Sequence, residues 1–73
     1  MERINRIKAV LAETGKTGKW LADQIDRDKT TVAKWCTNAI QPDLQRLSKI
    51  AEVLGVNIRE LLVDKIPYKE NID

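Results

Sequence analysis

The side chains with the clearest chemical capacity in this sequence are hydrogen-bond donors between residues 29 and 34. Lys29 and Lys34 carry ammonium groups and Thr30 carries a hydroxyl, so this group can donate hydrogen bonds to a partner. The usual residues of catalysis are scarce. The chain has no histidine, which is the commonest general base and metal ligand, and its one cysteine is Cys36. We therefore expect a binding protein and not an enzyme, with no catalytic residues, no metal and no cofactor.

Length and composition are typical of one small soluble domain. A chain of 73 residues buries only roughly 60% of its unfolded surface on folding, which leaves no room for a second core. No apolar run approaches the ~20 residues of a membrane span, and the N-terminus lacks the features of a signal peptide. A lone cysteine excludes an intrachain disulfide and fits a reducing compartment. We expect a cytoplasmic protein without membrane contact, in which Cys36 is chemically inert.

The elements that must position the polar group are short amphipathic helices. Apolar residues follow the 3.6-residue helical repeat in five segments, at about residues 3–13, 17–25, 29–36, 43–54 and 57–62. Thr17 and Asp28 suit N-caps, Asn57 begins a capping box with Glu60, and Asn38 suits a left-handed C-terminal turn. The predicted core residues are Ile4, Ile7, Val10, Leu11, Leu21, Ala22, Ile25, Val32, Trp35, Leu44, Leu47, Ile50, Ala51, Leu54, Ile58, Leu61 and Leu62.

No segment has the pattern of a β-strand, so the predicted fold class is all-α. We expect a compact bundle of five short helices over residues 1–62, followed by an irregular C-terminal tail at residues 63–73. Positive charge is concentrated toward the N-terminus. Residues 1–42 contain eight basic and five acidic residues, whereas residues 43–73 contain five and six. This excess is a weak signal on its own, because such charges are common on solvated surfaces.

The second and third segments have the spacing of a helix-turn-helix. Leu21 is followed by the small Ala22, where a second helix can cross closely, and Ile25 lies three residues later. Val32 and Trp35 then supply two inward anchors, seven and ten residues after Ile25. In a helix-turn-helix the second helix enters the DNA major groove.

The whole pattern resembles the Cro and lambda-repressor-like helix-turn-helix family, also called the XRE family. The resemblance extends from Arg3 to about Leu62. It implies a lambda-repressor-like fold and double-stranded DNA as the partner, with transcriptional regulation by repression as the expected function. The residues that carry the resemblance are Thr17-Gly18-Lys19-Trp20-Leu21-Ala22, Thr31-Val32-Ala33-Lys34-Trp35, Pro42-Asp43-Leu44, Leu47, Lys49-Ile50-Ala51, Leu54-Gly55-Val56 and Glu60-Leu61-Leu62.

Two positions depart from the family pattern. The turn holds Asp26-Arg27 where a glycine and an aliphatic residue are usual, but aspartate tolerates the left-handed conformation better than most residues. Leu11 and Trp20 stand where family members often have an Arg–Glu ion pair. We expect these two side chains to pack together, because replacing a buried ion pair by apolar contact is often neutral or stabilising.

The resemblance also implies which residues touch DNA. Those expected to contact base edges are Lys29, Thr30 and Lys34, since lysine can donate to guanine and threonine can meet a base or a thymine methyl. Those expected to contact phosphates are Thr17, Gly18, Lys19, Thr31, Thr37, Asn38 and Gln41. The alternative is that the exposed side of the third segment is an ordinary solvated helix face.

Paired binding follows from the small size of the domain. One domain makes few base contacts, so we expect a homodimer, at least on DNA, with half-sites roughly 34–36 Å apart. The apolar face of the fifth segment, with Ile66 and Tyr68 of the tail, is the expected dimer surface, although Ile58, Leu61 and Leu62 could instead complete the core. A protein-interaction or antitoxin-like module on the same fold is the alternative function. No small-molecule effector is evident in the sequence.

Overall fold

Four α-helices and one 3₁₀ helix make up the part of the chain that the structure describes. The structure is a computed structural model and describes residues 3–63. The helices are α1 (Ile7–Glu13), α2 (Gly18–Ile25), α3 (Lys29–Cys36), α4 (Leu44–Leu54) and a 3₁₀ helix (Ile58–Leu61). The all-α prediction is confirmed, with the fifth segment forming a 3₁₀ helix and not an α-helix. Within residues 3–63, no helix is both long and apolar enough to cross a membrane.

The helices begin and end where local capping chemistry directs them. Thr17, Asp28 and Asp43 each accept a backbone N–H with the side chain at the start of α2, α3 and α4. At the 3₁₀ helix, Asn57 accepts from the N–H of Arg59 while the Glu60 carboxylate accepts from the N–H of Asn57. The predicted N-caps and the capping box are therefore confirmed. They satisfy backbone donors that have no partner within the helix.

One hydrophobic core lies between the helices, and α2 packs on both α3 and α4. Most predicted core positions are confirmed. The buried apolar residues are Ile7, Val10, Leu11, Leu21, Ala22, Val32, Trp35, Leu47, Ile50, Ala51 and Leu61. Trp20, Ile25, Leu54 and Leu62 are partly buried and pack against this cluster. The contact expected between the Leu11 and Trp20 side chains stays a prediction.

The start of the first helix was predicted wrongly. The helix begins at Ile7 and not at Arg3, and Ile4 is 37% exposed. The reason is a tertiary pairing in which Asn5 forms an isolated antiparallel bridge with Leu62, and the backbone of Ile4 accepts from the N–H of Val63 at 2.9 Å. Backbone bonds to the end of the domain thus replace the first predicted turn of helix.

Two other apolar positions lie outside the core. Leu44 is 77% exposed and Ile58 is 37% exposed, although both fit the helical repeat of their segments. Each is the first residue of its helix, and the buried residues Leu47 and Leu61 lie three positions later. The apolar repeat of each segment therefore includes a first residue that no neighbouring element within residues 3–63 fully covers.

Candidate nucleic-acid interface

The candidate interface is built on α3, which the core holds by one face. Val32 and Trp35 are 1% and 2% exposed, and Ile25 of α2 packs against the same cluster. The three predicted base-contacting residues, Lys29, Thr30 and Lys34, all lie on α3 and are all exposed. Because a helix turns about 100° per residue, Thr30 and Lys34 are about 40° apart around its axis, whereas Lys29 is about 100° from Thr30. The structure therefore places Thr30 and Lys34 on one open helix face and leaves Lys29 exposed on another side of the first turn.

The approach to α3 is a tight turn that depends on two aspartates. Asp26 adopts the left-handed conformation, with φ 58° and ψ 47°, and the N–H of Arg27 donates to the carbonyl of Ala22 at 3.0 Å. The expectation that aspartate would take the place of the usual glycine is confirmed. Asp28 then caps α3 by accepting the N–H of Thr31 at 3.3 Å. Hydrogen bonding by Thr31, first from its side chain and then from its backbone, lowers the pKa of Asp28.

Three of the predicted phosphate-contacting residues lie at the start of α2. Thr17 accepts the N–H of Trp20 at 3.0 Å and so serves as the cap, while Lys19 is exposed. Gly18 lies close to α3, because a Cβ added there would be 3.8 Å from a side-chain methyl of Val32. The first turn of α2, with its positive dipole end, is thus held against α3.

Thr31 and Thr37 occupy opposite ends of α3. Thr31 is partly exposed near the N-terminus. Thr37 is exposed at the C-terminus, where its hydroxyl donates to the carbonyl of Lys34 at 3.3 Å. Both residues are therefore at least partly accessible to solvent.

Asn38 has a different place from the one predicted for it. It is 3% exposed and left-handed, with φ 63°. Its Oδ1 accepts the backbone N–H groups of Ile4 and Asn5, at 2.8 and 2.9 Å, and its Nδ2 donates to the carbonyl of Asn5 at 3.2 Å. A side chain engaged and buried in this way does not reach a phosphate, so we correct that assignment. The predicted left-handed turn at Asn38 is confirmed.

Asn5, which sequence reasoning missed, is the main partner of Asn38 in linking the N-terminal segment to the end of α3. Asn5 is 3% exposed and its Nδ2 donates to the carbonyl of Trp35 at 2.9 Å and to Gln41 Oε1 at 2.7 Å. Gln41 in turn donates from its Nε2 to Asn38 Oδ1 at 3.1 Å. The predicted site residue Gln41 is exposed, but its side-chain amide is hydrogen-bonded to Asn5 and Asn38. We call these three residues the amide joint, since Asn5, Asn38 and Gln41 fasten the N-terminal segment to the end of α3.

Cys36 lies beside the interface but lacks the environment of a reactive thiol. It is partly buried, and burial raises the pKa of its thiol, while the nearby charge of Lys8 acts in the opposite direction. A raised pKa keeps the thiol protonated at neutral pH, which makes it a poor nucleophile. Residues 3–63 contain no group of three histidine, cysteine or acidic side chains that could hold a metal ion.

Comparison with known proteins identifies the family. The sequence model of the Cro/C1-type helix-turn-helix DNA-binding domain matches residues 6–65, which include every helix described above. The chain belongs to this family. The resemblance drawn from the sequence is therefore confirmed. A comparison with curated proteins finds no match.

Solved structures agree with the family assignment. This Cro/C1-type domain is 47% identical to a candidate DNA-binding protein from Bacteroides fragilis, covering 82% of this chain and 97% of that one, with a TM-score of 0.81. It is 26% identical to the SOS-response transcriptional repressor LexA from Eubacterium rectale, over 93% of this chain and 69% of that one, with a TM-score of 0.72. A transcriptional regulator from Listeria innocua, at 21% identity and a TM-score of 0.63 over 93% and 64% of the two chains, shares the fold.

Proposed function

We propose that this Cro/C1-type domain is a cytoplasmic transcriptional regulator, acting as a repressor, that binds double-stranded DNA with α3 in the major groove. One observation carries the proposal: α3 is fixed by Val32 and Trp35 and is left with a polar face open to solvent. A major groove about 12 Å wide admits such a helix. A domain bound to its operator would exclude other proteins from the same DNA. This exclusion is the simplest route to repression.

Base recognition falls to the polar face of α3. Lys29 and Lys34 donate to guanine O6 and N7, and Thr30 contacts a base or a thymine methyl. Ala33 lies on the exposed side of the helix and is small enough for the helix to approach the base edges. The Asp28 carboxylate caps α3 by accepting the N–H of Thr31, so it faces the α3 backbone and not the DNA.

Phosphate contacts fall to the two flanks of α3. Thr17, Gly18 and Lys19 begin α2, where backbone N–H groups and the helix dipole favour an anion. Thr31, Thr37 and Gln41 serve the other positions, with Gln41 positioned by the amide joint. Asn38 acts as a positioning residue in that joint and does not touch DNA.

Homodimerisation on a two-fold symmetric operator is part of the proposal. Of the fifth segment, Leu61 is fully buried in the core, which leaves Ile58 as its exposed apolar residue. Leu44, 77% exposed at the start of α4, is a second exposed apolar residue that a partner copy could cover. The predicted contribution of Ile66 and Tyr68 lies outside the described residues. The exposure of Leu44 and Ile58 also favours the alternative function, in which these residues bind a different protein.

The deciding experiment is selection of bound sequences from random duplex DNA, followed by fluorescence anisotropy on the selected site. We expect a palindromic consensus and an affinity that falls steeply with salt, because bound cations release counterions. The Lys34→Ala variant should lose about 1–3 kcal/mol of discrimination at one base pair of each half-site. Lys19→Ala should weaken binding to all sequences alike.

Lys49→Ala is the matched control, since Lys49 is an exposed lysine of α4 whose nearest charged partner is Glu52 at 3.7 Å. It should leave the consensus and the discrimination unchanged. Recovery of no consensus, together with salt-insensitive binding to a protein, would favour the protein-interaction alternative.

A further inference from the structure

Beside α3, a groove is bordered by α1, α2 and α3; it shares Gly18, Ala33 and Thr37 with the proposed DNA-binding surface, and the rest of its lining has no role there. Its volume is about 400 Å³, within the range of small-molecule sites. Apolar or weakly polar lining comes from Leu11 and Ala12 of α1 and from Ala33 and Cys36 of α3. Leu11 is almost fully buried, so the groove reaches down to the core. A surface of this kind suits a hydrocarbon group.

The charge around the groove has one sign. Lys8 and Lys16 line it, and no acidic residue within the described chain lines it with them. Neither lysine forms an ion pair within residues 3–63. The Lys16 Nζ lies 4.9 Å from the centroid of the Trp20 ring, which is a weak attachment that an anion can displace. Two free ammonium groups over an apolar lining are complementary to an amphipathic anion.

We propose that the groove binds a small amphipathic monoanion, with a carboxylate at Lys8 and Lys16 and a short hydrocarbon chain against Leu11, Ala12 and Ala33. A DNA phosphate would satisfy the lysines but would leave the apolar lining without a partner. Free carboxylates with an apolar chain supply both parts. The ligand class is therefore a short fatty or other alkyl carboxylate.

The position of the groove gives binding a consequence. Ala33 and Thr37 line it, and they follow Thr30 and Lys34 by three residues, so they share the exposed side of α3. An anion bound there adds negative charge and bulk beside the surface proposed to meet DNA phosphates. Occupancy therefore weakens DNA binding, and this second step rests on the proposed function. The groove itself does not, because it exists in the free protein.

The test is titration of the ¹⁵N-labelled full chain, free of DNA, with sodium hexanoate, using acetate and 1-hexanol as matched ligands. We expect saturable amide shifts centred on Gly18, Ala33 and Thr37, with a Kd on the order of several millimolar. Acetate lacks the chain and hexanol lacks the charge, so each should bind at least about threefold more weakly. Shifts that do not saturate, or equal binding of hexanol, would overturn the proposal.

Three variants locate the ligand. Ala33→Leu fills the groove from an exposed helical position that tolerates leucine, and it should abolish saturable shifts. Lys16→Gln should weaken hexanoate about threefold and release Trp20 from its cation, which changes the tryptophan fluorescence. Lys49→Gln, on α4, is the control and should bind like the parent chain. Unchanged binding by Ala33→Leu, with its fold verified by its amide spectrum, would place the ligand elsewhere and refute the groove.

The regulatory step has its own readout. Hexanoate at saturation should weaken binding to selected DNA at least about fivefold relative to acetate at the same ionic strength. Hexanoate that binds the groove without this effect refutes the regulatory step alone. If the protein binds no DNA, the proposed function fails while the titration of the free chain still decides the groove.

Discussion

Removing the side chain of Asn38 should destabilise the domain without changing any residue proposed to touch DNA. In the parent chain this side chain accepts two backbone N–H groups from the N-terminal segment and one side-chain N–H of Gln41, and it donates to one carbonyl. Asn38→Gly keeps the left-handed backbone, which glycine adopts freely, but removes all four bonds. The N–H and carbonyl of Asn5 would be left buried, since Asn5 is 3% exposed, whereas Ile4 is 37% exposed and its N–H is not counted among the buried groups.

The expected magnitude follows from these two buried groups. Each buried group left without its partner costs about 1–3 kcal/mol, so the loss of both partners in Asn38→Gly should lower the unfolding free energy by about 2–6 kcal/mol. A domain of 73 residues has only about 4–11 kcal/mol in total. Asn38→Ala should lose about 1 kcal/mol more, because a Cβ is strained at a φ of 63°. The difference between the two variants isolates the backbone contribution.

The assay is urea unfolding followed by the fluorescence of the buried Trp35, with circular dichroism as a second probe. Gln41→Ala, at the exposed edge of the amide joint, should lose about 0.5–1.5 kcal/mol. Ser48→Ala, exposed on α4, is the control and should stay within about 0.5 kcal/mol of the parent. Parent-like stability of Asn38→Gly would refute the reasoning on the buried bonds, and equal stability of the Gly and Ala variants would refute the strain.

Three further predictions test the turn, the caps and the surface. Asp26→Gly should raise the unfolding free energy by about 0.5–1 kcal/mol, since glycine takes the observed φ of 58° without strain. Thermal unfolding measures this change, and a melting temperature below that of the parent chain would contradict the prediction. Hydrogen bonds lower the folded-state pKa of Asp28 and of Asp43, where the N–H of Arg46 is the main cause. At acidic pH the folded state thus binds fewer protons than the unfolded state. The stability that the two charged carboxylates contribute is therefore complete above their ordinary pKa of 3.8 and is lost as the pH falls through the lowered folded-state values. Urea midpoints from pH 6 to 2 should fall less for the double Asp→Asn variant. Leu44→Ser should leave monomer stability within about 0.5 kcal/mol, because Leu44 is 77% exposed, and should weaken self-association measured by sedimentation on operator DNA.

What the sequence could predict here is what short-range chemistry decides. The turn between α2 and α3 depends on two residues that are two positions apart, the left-handed Asp26 and the cap Asp28. The anchors Val32 and Trp35 are one helical turn apart, so their shared face follows from the helical repeat alone. The exposed group on α3 was predictable for the same reason.

What the sequence could not predict depends on partners distant in the chain. The bonds between Asn5 and Asn38 span 33 residues, and nothing in two asparagines distinguishes a buried pair from two solvated loop residues. Ile4 fits the helical repeat of α1, but backbone pairing with the end of the domain outweighs that local preference. Leu44 also fits the helical repeat of α4. Burial, however, requires a neighbouring element to cover the residue, and the repeat does not specify how far along the helix that cover extends.

The amide joint also bears on how accurately α3 can be presented to DNA. The core fixes the inward face of α3 through Val32 and Trp35, but apolar contacts are not directional and tolerate small rotations. Hydrogen bonds are directional, and those from Asn5 to the Trp35 carbonyl and through Asn38 to the N-terminal segment constrain the last turn of the helix. Positioning errors as small as an ångström matter at a base edge. The residues that fix the orientation of α3 therefore include two asparagines, Asn5 and Asn38, that are themselves buried.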